Sequence, residues 1–142
     1  MFKKFCTLML SLVLLGSATP NNECTQVAGI KIWKETRAFA KQENFPYCAL
    51  LQRAVSKDKR AIRRLAFKTF DTSAGLGHGT VIVALVNRLG ERFFVKSIGD
   101  LTPKKRQHLL LNLKVGLAYT DIKKYHEKDL KEVFPKLARL LK

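Results

Sequence analysis

The chain has 142 residues, with 27 Lys and Arg against 11 Asp and Glu, and its formal net charge is +16. At 46% hydrophobic residues it is too apolar for a disordered polybasic tail, which lacks the apolar surface needed to offset the entropy of ordering. The length suits one folded domain, because each of two domains would be close to the size at which a core becomes marginal.

The N-terminus has the residue order of a secretory signal peptide. Two lysines precede an apolar run at 5–16, which is shorter than the roughly 20 residues that cross a bilayer as a helix. Gly16 and Ala18 are small residues where a cleavage site requires them, so we expect a signal peptide at 1–18. The alternatives are an uncleaved anchor and a buried first helix.

Cleavage would leave residues 19–142 as a single exported α-helical domain, periplasmic or secreted, with no transmembrane segment. It would remove two lysines and no acid, so the net charge would fall from +16 to +14. The positive charge therefore belongs to the folded domain.

Export decides how the three cysteines are interpreted. Cys6 lies in the signal peptide, so the exported chain keeps Cys24 and Cys48, and a pair in an oxidising compartment predicts a disulfide. The bridge would contribute on the order of 3 kcal/mol by closing a loop of about 25 residues. The alternative is two unrelated thiols.

The first half of the domain predicts three helical segments. A loose helical pattern over 25–43 ends before Pro46, because the residue preceding a proline is disfavoured in a helix. A second pattern follows the proline. Asp58 then falls where the apolar face should continue, so we place a turn at 56–58 and a new helix carried by 62–69.

The stretch 81–98 fits two structures. Residues 81–86 are apolar and valine-rich, which is typical of a buried strand, and 93–98 would supply its hairpin partner in an α+β fold. We favour helices on both sides of Gly90, because every neighbouring segment is helical and glycine is a common helix stop.

The last third predicts further helices. Thr and Pro at 102–103 give the clearest start, an N-cap hydroxyl followed by proline at the first helical position. Thr and Asp at 120–121 predict another start, and apolar residues recur at helical spacing over 130–141. Pro135 predicts a kink there, or a start near Val133. The expected fold is all-α, a small helical bundle or a short stack of helical hairpins.

Catalytic and metal-binding signals are weak. Residues 75–79, Gly-Leu-Gly-His-Gly, lack the spacing of nucleotide-binding loops, so we interpret these glycines as sites of close helix packing or a sharp turn. His78, His108 and His126 occur singly, which predicts solvated or core histidines and no metal site.

No nucleophile motif or pair of differently tuned carboxylates is present, so we predict no catalytic residue and no cofactor. The alternative is an exported hydrolase whose site assembles in the fold from His78 with Cys48 or Asp71 as a neighbour.

Residues 53–68 form the clearest local concentration of positive charge in the sequence. This cluster holds seven cations and a single acid. Six of the cations are candidate anion-binding residues, namely Arg53, Lys57, Arg60, Arg63, Arg64 and Lys68. One continuous helix would align five of them in a stripe, and a turn at 56–58 would displace two. A second concentration at 104–106 places cations at a helix N-terminus, where they are unfavourable by up to about 1 kcal/mol.

The expected function is a non-enzymatic binding module for an acidic protein or an anionic envelope component, because summed charge attracts anionic surfaces. Nucleic-acid binding through the cluster is the expectation only if the chain is not exported, and Phe67 and Phe70 are the only aromatic residues near it for base stacking. The sequence determines neither the ligand nor the oligomeric state.

Overall fold

The computed structural model describes residues 23–142, so the signal peptide expected at 1–18 lies outside the described residues. The described part is mainly helical, which confirms the predicted fold class. It begins with a two-stranded antiparallel hairpin, β1 (Gln26–Val27) and β2 (Ile30–Lys31). The helices that follow are α1 (Lys34–Gln42), α2 (Tyr47–Val55), α3 (Lys59–Ala66), α4 (Thr72–Leu89), α5 (Glu91–Ile98), α6 (Pro103–Tyr119), α7 (Leu130–Val133) and α8 (Pro135–Leu140).

The two longest helices, α4 and α6, form the most extensive contact in the described part of the chain. They meet where Gly79 faces Gly116. A Cβ built on Gly79 would lie 2.7 Å from the carbonyl oxygen of Asn112 and 2.8 Å from the backbone nitrogen of Gly116. The two backbones therefore touch, which confirms that the glycine run serves close helix packing.

The apolar run at 81–86 belongs to α4 and not to a strand, so the hairpin alternative at 81–98 is not formed. Apart from the half-buried Ala84, its residues are fully buried, because α4 lies at the centre of the domain. A helix surrounded on all sides carries apolar residues all round and loses the usual helical periodicity. Gly90, with φ of 84°, ends α4 as predicted.

The expected turn at 56–58 is present and separates α2 from α3. The Asp58 carboxylate accepts hydrogen bonds from the backbone N–H groups of Arg60 and Ala61, at 2.9 and 3.2 Å, and so caps α3. The helix ends at Ala66, short of the predicted 69. The start of α6 also follows the prediction, because the Thr102 hydroxyl accepts from the N–H of Lys105 and Pro103 occupies the first turn.

The helical pattern assigned to 25–43 is wrong in its first part. Residues 26–31 form the hairpin, and α1 begins only at Lys34. Ala28 and Gly29 both have positive φ, 50° and 82°, which is the backbone that a two-residue hairpin turn needs.

The helix start predicted at 120–121 is also wrong. The Thr120 hydroxyl accepts from the N–H of Ile122, two residues on, which makes a local turn and not a helix cap. The next helix begins at Leu130. Pro135 divides the last predicted helix, because α7 ends at Val133 and the proline opens α8.

Cys24 and Cys48 form a disulfide with their Cα atoms 6.2 Å apart, as predicted. The bridge ties the chain just before β1 to the first turn of α2.

Replacement of Gly116 by alanine tests the helix contact. The added Cβ would collide with the Gly79 carbonyl oxygen and with Val83, so Gly116→Ala should lower the free energy of unfolding by about 1–3 kcal/mol. Urea denaturation measures the loss. Lys114→Ala, at an exposed position of the same helix, should change stability by at most about 0.5 kcal/mol. A Gly116→Ala protein at least as stable as the parent would show that the backbones are apart.

Candidate functional site

The six predicted anion-binding residues lie in α2, in the turn at 56–58, in α3 and just after α3. Arg53 is in α2, Lys57 is in the turn, and Lys68 follows α3. Arg60, Arg63 and Arg64 share the exposed side of α3, opposite a fully buried side. The buried side consists of Ala61, Ile62, Leu65 and Ala66. The turn at 56–58 interrupts the five-residue stripe that one continuous helix would form. The continuous part of the cationic surface is therefore the exposed side of α3.

Two of the six cations are neutralised within the protein. The Arg53 guanidinium contacts the Asp58 carboxylate at 2.6 Å, and the hydrogen bond from Arg53 lowers the pKa of Asp58. Lys68 forms an ion pair with Glu43, which precedes α2. These two residues therefore have less charge to offer a ligand than the other four.

Aromatic rings support three of the cations from beneath. The Lys57 ammonium lies 5.5 Å from the centre of the Phe93 ring, and the Arg64 guanidinium lies 5.5 Å from that of Phe45. Lys68 lies 4.8 Å from the ring of Phe70. Such contacts favour the cation and restrict its side chain.

Phe45 and Phe93 could not be placed near the cluster from the sequence. Phe45 precedes α2, and Phe93 lies in α5, on the far side of α4 in the chain. Only the tertiary fold brings these rings under the cations.

The two basic concentrations of the sequence meet in the fold. The Arg63 Nε–H donates to the Ser97 carbonyl oxygen at 2.7 Å, which joins α3 to the last turn of α5. The Lys105 ammonium lies 5.3 Å from the ring of Phe67, the residue that ends α3. The N-terminus of α6 therefore adds its charge to that of α3. We call the cations in and next to α3 that do not pair with a carboxylate, together with the cation at the start of α6, the α3 basic surface. It comprises Lys57, Lys59, Arg60, Arg63, Arg64 and Lys105.

Few acidic residues offset the charge of the described part, which holds 25 of the 27 cations and all 11 acids. Four acids lie within 4.0 Å of a Lys or Arg nitrogen: Glu23, Glu43, Asp58 and Asp121. Most cations in this part of the chain therefore have no carboxylate partner at that distance.

His78 is a core residue in the middle of α4, with 0% of its surface exposed. Its Nε2 lies 3.0 Å from the Leu65 carbonyl oxygen, so Nε2 carries the proton and Nδ1 accepts from the Tyr47 hydroxyl at 2.6 Å. Burial lowers the pKa of His78 to about 4 and raises the pKa of Tyr47 well above its usual value. Both groups are neutral near pH 7.

The residues of the hydrolase alternative are not brought together around this histidine. Cys48 is held in the disulfide, and Asp71 is an exposed residue at the start of α4. The hydrogen-bond partners of the ring are Tyr47 and Leu65 instead. His108 and His126 bond to the backbone carbonyls of Phe67 and Thr120.

Within residues 23–142, no group of three or more His, Cys, Asp or Glu side chains is placed to hold a metal ion. No helix in the same range is long and apolar enough to span a bilayer. Comparisons with protein-family models, with curated proteins and with solved structures found no match to this chain. The geometry and the charge are therefore the basis for inferring function.

The lowered pKa of the buried His78 ring predicts that the stability of the fold depends on pH. Between pH 6.5 and about 4 the unfolded chain binds a proton at His78 and the folded chain does not, so acidification through this window favours unfolding. The loss at this one site should reach about 3 kcal/mol. Urea denaturation at several pH values measures it.

The control is His78→Gln, which removes the titrating group. Its stability should depend less on pH in that window than the parent's, whatever its absolute value. Parallel pH profiles for the two proteins would contradict the assignment of a buried neutral histidine.

Proposed function

We propose that this protein is an exported, non-enzymatic binding module that holds an acidic protein or an anionic envelope component on its α3 basic surface. The observation that carries the proposal is the juxtaposition of α3, the end of α5 and the start of α6, which gathers cations from two distant parts of the chain. Asp58, the single acid among the α3 cations, already caps the helix and pairs with Arg53.

The support beneath these cations favours binding. A flexible lysine or arginine loses about 0.5–1.5 kcal/mol of side-chain entropy when a ligand immobilises it. Lys57, Arg64 and Lys105 already lie over aromatic rings, and Arg63 is fixed by the Ser97 carbonyl oxygen. The Arg63 guanidinium keeps its terminal nitrogens for a ligand, because the bond to Ser97 uses Nε.

Two further observations support the proposal. The disulfide supports export, and the surroundings of the shifted titratable groups support a non-enzymatic role. The Cys24–Cys48 disulfide is the chemistry of an oxidising compartment, in keeping with a periplasmic or secreted protein. Among residues 23–142, the groups whose pKa is clearly shifted are His78 and Tyr47 in the sealed core, and Asp58 in a helix cap. A catalytic acid or base needs access to a substrate, which the core pair lacks.

Charge reversal at the start of α3 tests the proposal. Lys59→Glu with Arg60→Glu places two acids in the first turn of a helix, where they favour the helix dipole, so folding should be kept. Binding to poly-L-glutamate, measured by calorimetry at low salt, should weaken about tenfold more than in a control with the same net charge. That control is Lys123→Glu with Lys128→Glu, two exposed lysines outside the α3 basic surface.

The parent affinity should also fall as salt rises from about 50 to 500 mM, because exposed charges are screened over that range. Equal weakening of both double variants would show that affinity follows net charge without a localised surface. An affinity that does not change with salt concentration would contradict the electrostatic basis of the proposal.

A further inference from the structure

A cleft of about 360 Å³ lies between the hairpin, α4 and the end of α6, and it shares no residue with the α3 basic surface. Its α4 side is formed by Thr80, Ala84 and the Asn87–Arg88 pair, which recur at helical spacing along one face. Trp33, Tyr119 and Ile122 form apolar parts of its wall. The volume is near the lower end of the range for small-molecule sites, about 300–1,000 Å³.

Two aromatic rings shape one side of the cleft. Trp33 and Tyr119 pack edge to face, with ring centres 6.4 Å apart and planes at 89°. Trp33 is held against α4 at Gly77, where a Cβ would lie 2.7 Å from the first two carbons of the indole side chain. Tyr119 is 50% exposed although it is a large hydrophobic residue. The ring pair therefore presents apolar surface that the rest of the domain does not cover.

Polar groups converge on the same cleft. The Tyr125 hydroxyl donates to the Asn87 side-chain oxygen at 3.0 Å, which leaves the amide NH₂ of Asn87 as a donor for a ligand. The Arg88 guanidinium donates through one terminal nitrogen to the Ala28 carbonyl oxygen at 3.3 Å. Its remaining N–H groups can donate to a ligand.

The rim carries one further charge of each sign. Lys31 and Asp121 are 4.0 Å apart, with 77% and 79% of their side chains exposed. An ion pair this exposed contributes little, so a ligand can replace either partner at small cost. With Arg88, the cleft has two cations and one acid, and its net charge is positive.

Two local structural preferences are broken at residues that line this cleft. Trp33 occupies the N-cap of α1, where Ser, Thr, Asp or Asn would serve the helix better. Ala28 has a φ of 50° in the hairpin turn, a conformation that favours Gly or Asn. Departures of this kind concentrate at functional sites.

We propose that this cleft binds an acidic saccharide, a sugar ring that carries a carboxylate. A pyranose ring has an apolar C–H face and a hydroxyl edge, which suit the aromatic pair and the Asn87 and Asp121 side chains respectively. The carboxylate is the group that Arg88 and Lys31 would select, since charge-assisted hydrogen bonds are about twice as strong as neutral ones. This proposal does not depend on the α3 basic surface.

Fluorescence of Trp33 tests it directly, because the chain has one tryptophan. Titration with digalacturonic acid should give a saturable change in emission. The neutral galactose disaccharide should bind at least about tenfold more weakly. Arg88→Met should reduce the affinity for the acidic sugar about tenfold and leave that for the neutral sugar within about twofold. Lys104→Met, at an exposed lysine at the opposite end of α6 from Tyr119, should change neither affinity.

The Lys59→Glu, Arg60→Glu protein should bind the acidic sugar as the parent does, which separates failure of this proposal from failure of the other. The absence of a saturable change with digalacturonic acid would overturn the saccharide site. Equal affinity for the neutral sugar would overturn its acidic character. An unchanged affinity in Arg88→Met would overturn the assigned role of the guanidinium.

Discussion

Three consecutive residues of α4, Gly77, His78 and Gly79, join it to four other helices. Gly77 lets α1 approach closely, and there the Thr36 hydroxyl donates to the Ala74 carbonyl oxygen at 2.9 Å. The His78 ring bonds to Tyr47 of α2 and to Leu65 of α3. Gly79 meets the backbone of α6. A bulky residue at either glycine, or an ionised ring between them, would separate helices that the rest of the domain needs in contact.

Because α4 is buried along most of its middle, the outer helices carry most of the charge. The net positive charge of the described residues opposes compaction by self-repulsion, and a domain of this size has a limited core with which to resist it. The disulfide and the cation–aromatic contacts offset part of that cost. The α3 basic surface forms where α3 packs on α5 and its end meets the start of α6. The proposed cleft lies on another part of α4.

Local signals made part of this architecture predictable. The Thr-Pro start of α6, the stop at Gly90 and the turn at 56–58 each depend on a few neighbouring residues, and the even pair of cysteines outside the expected signal peptide predicted the disulfide. The hairpin was missed because Ala28 carries no turn preference of its own. The contacts of Phe45 and Phe93 with the cations, and the walls of the cleft, were missed for a different reason. They join residues far apart in the chain, as Lys57 joins Phe93, and no single segment contains that information.

Native-state hydrogen exchange of backbone amides would test most directly the claim that α4 is the hub of the domain. The amides of α4 from Gly79 to Val86, and those of α6 from Asn112 to Leu117, should exchange slowest, with free energies of opening equal to that of global unfolding. Those of the short helices α7 and α8 should exchange faster. Slowest exchange confined to α2 and α3, with α4 opening at lower free energy, would contradict the account.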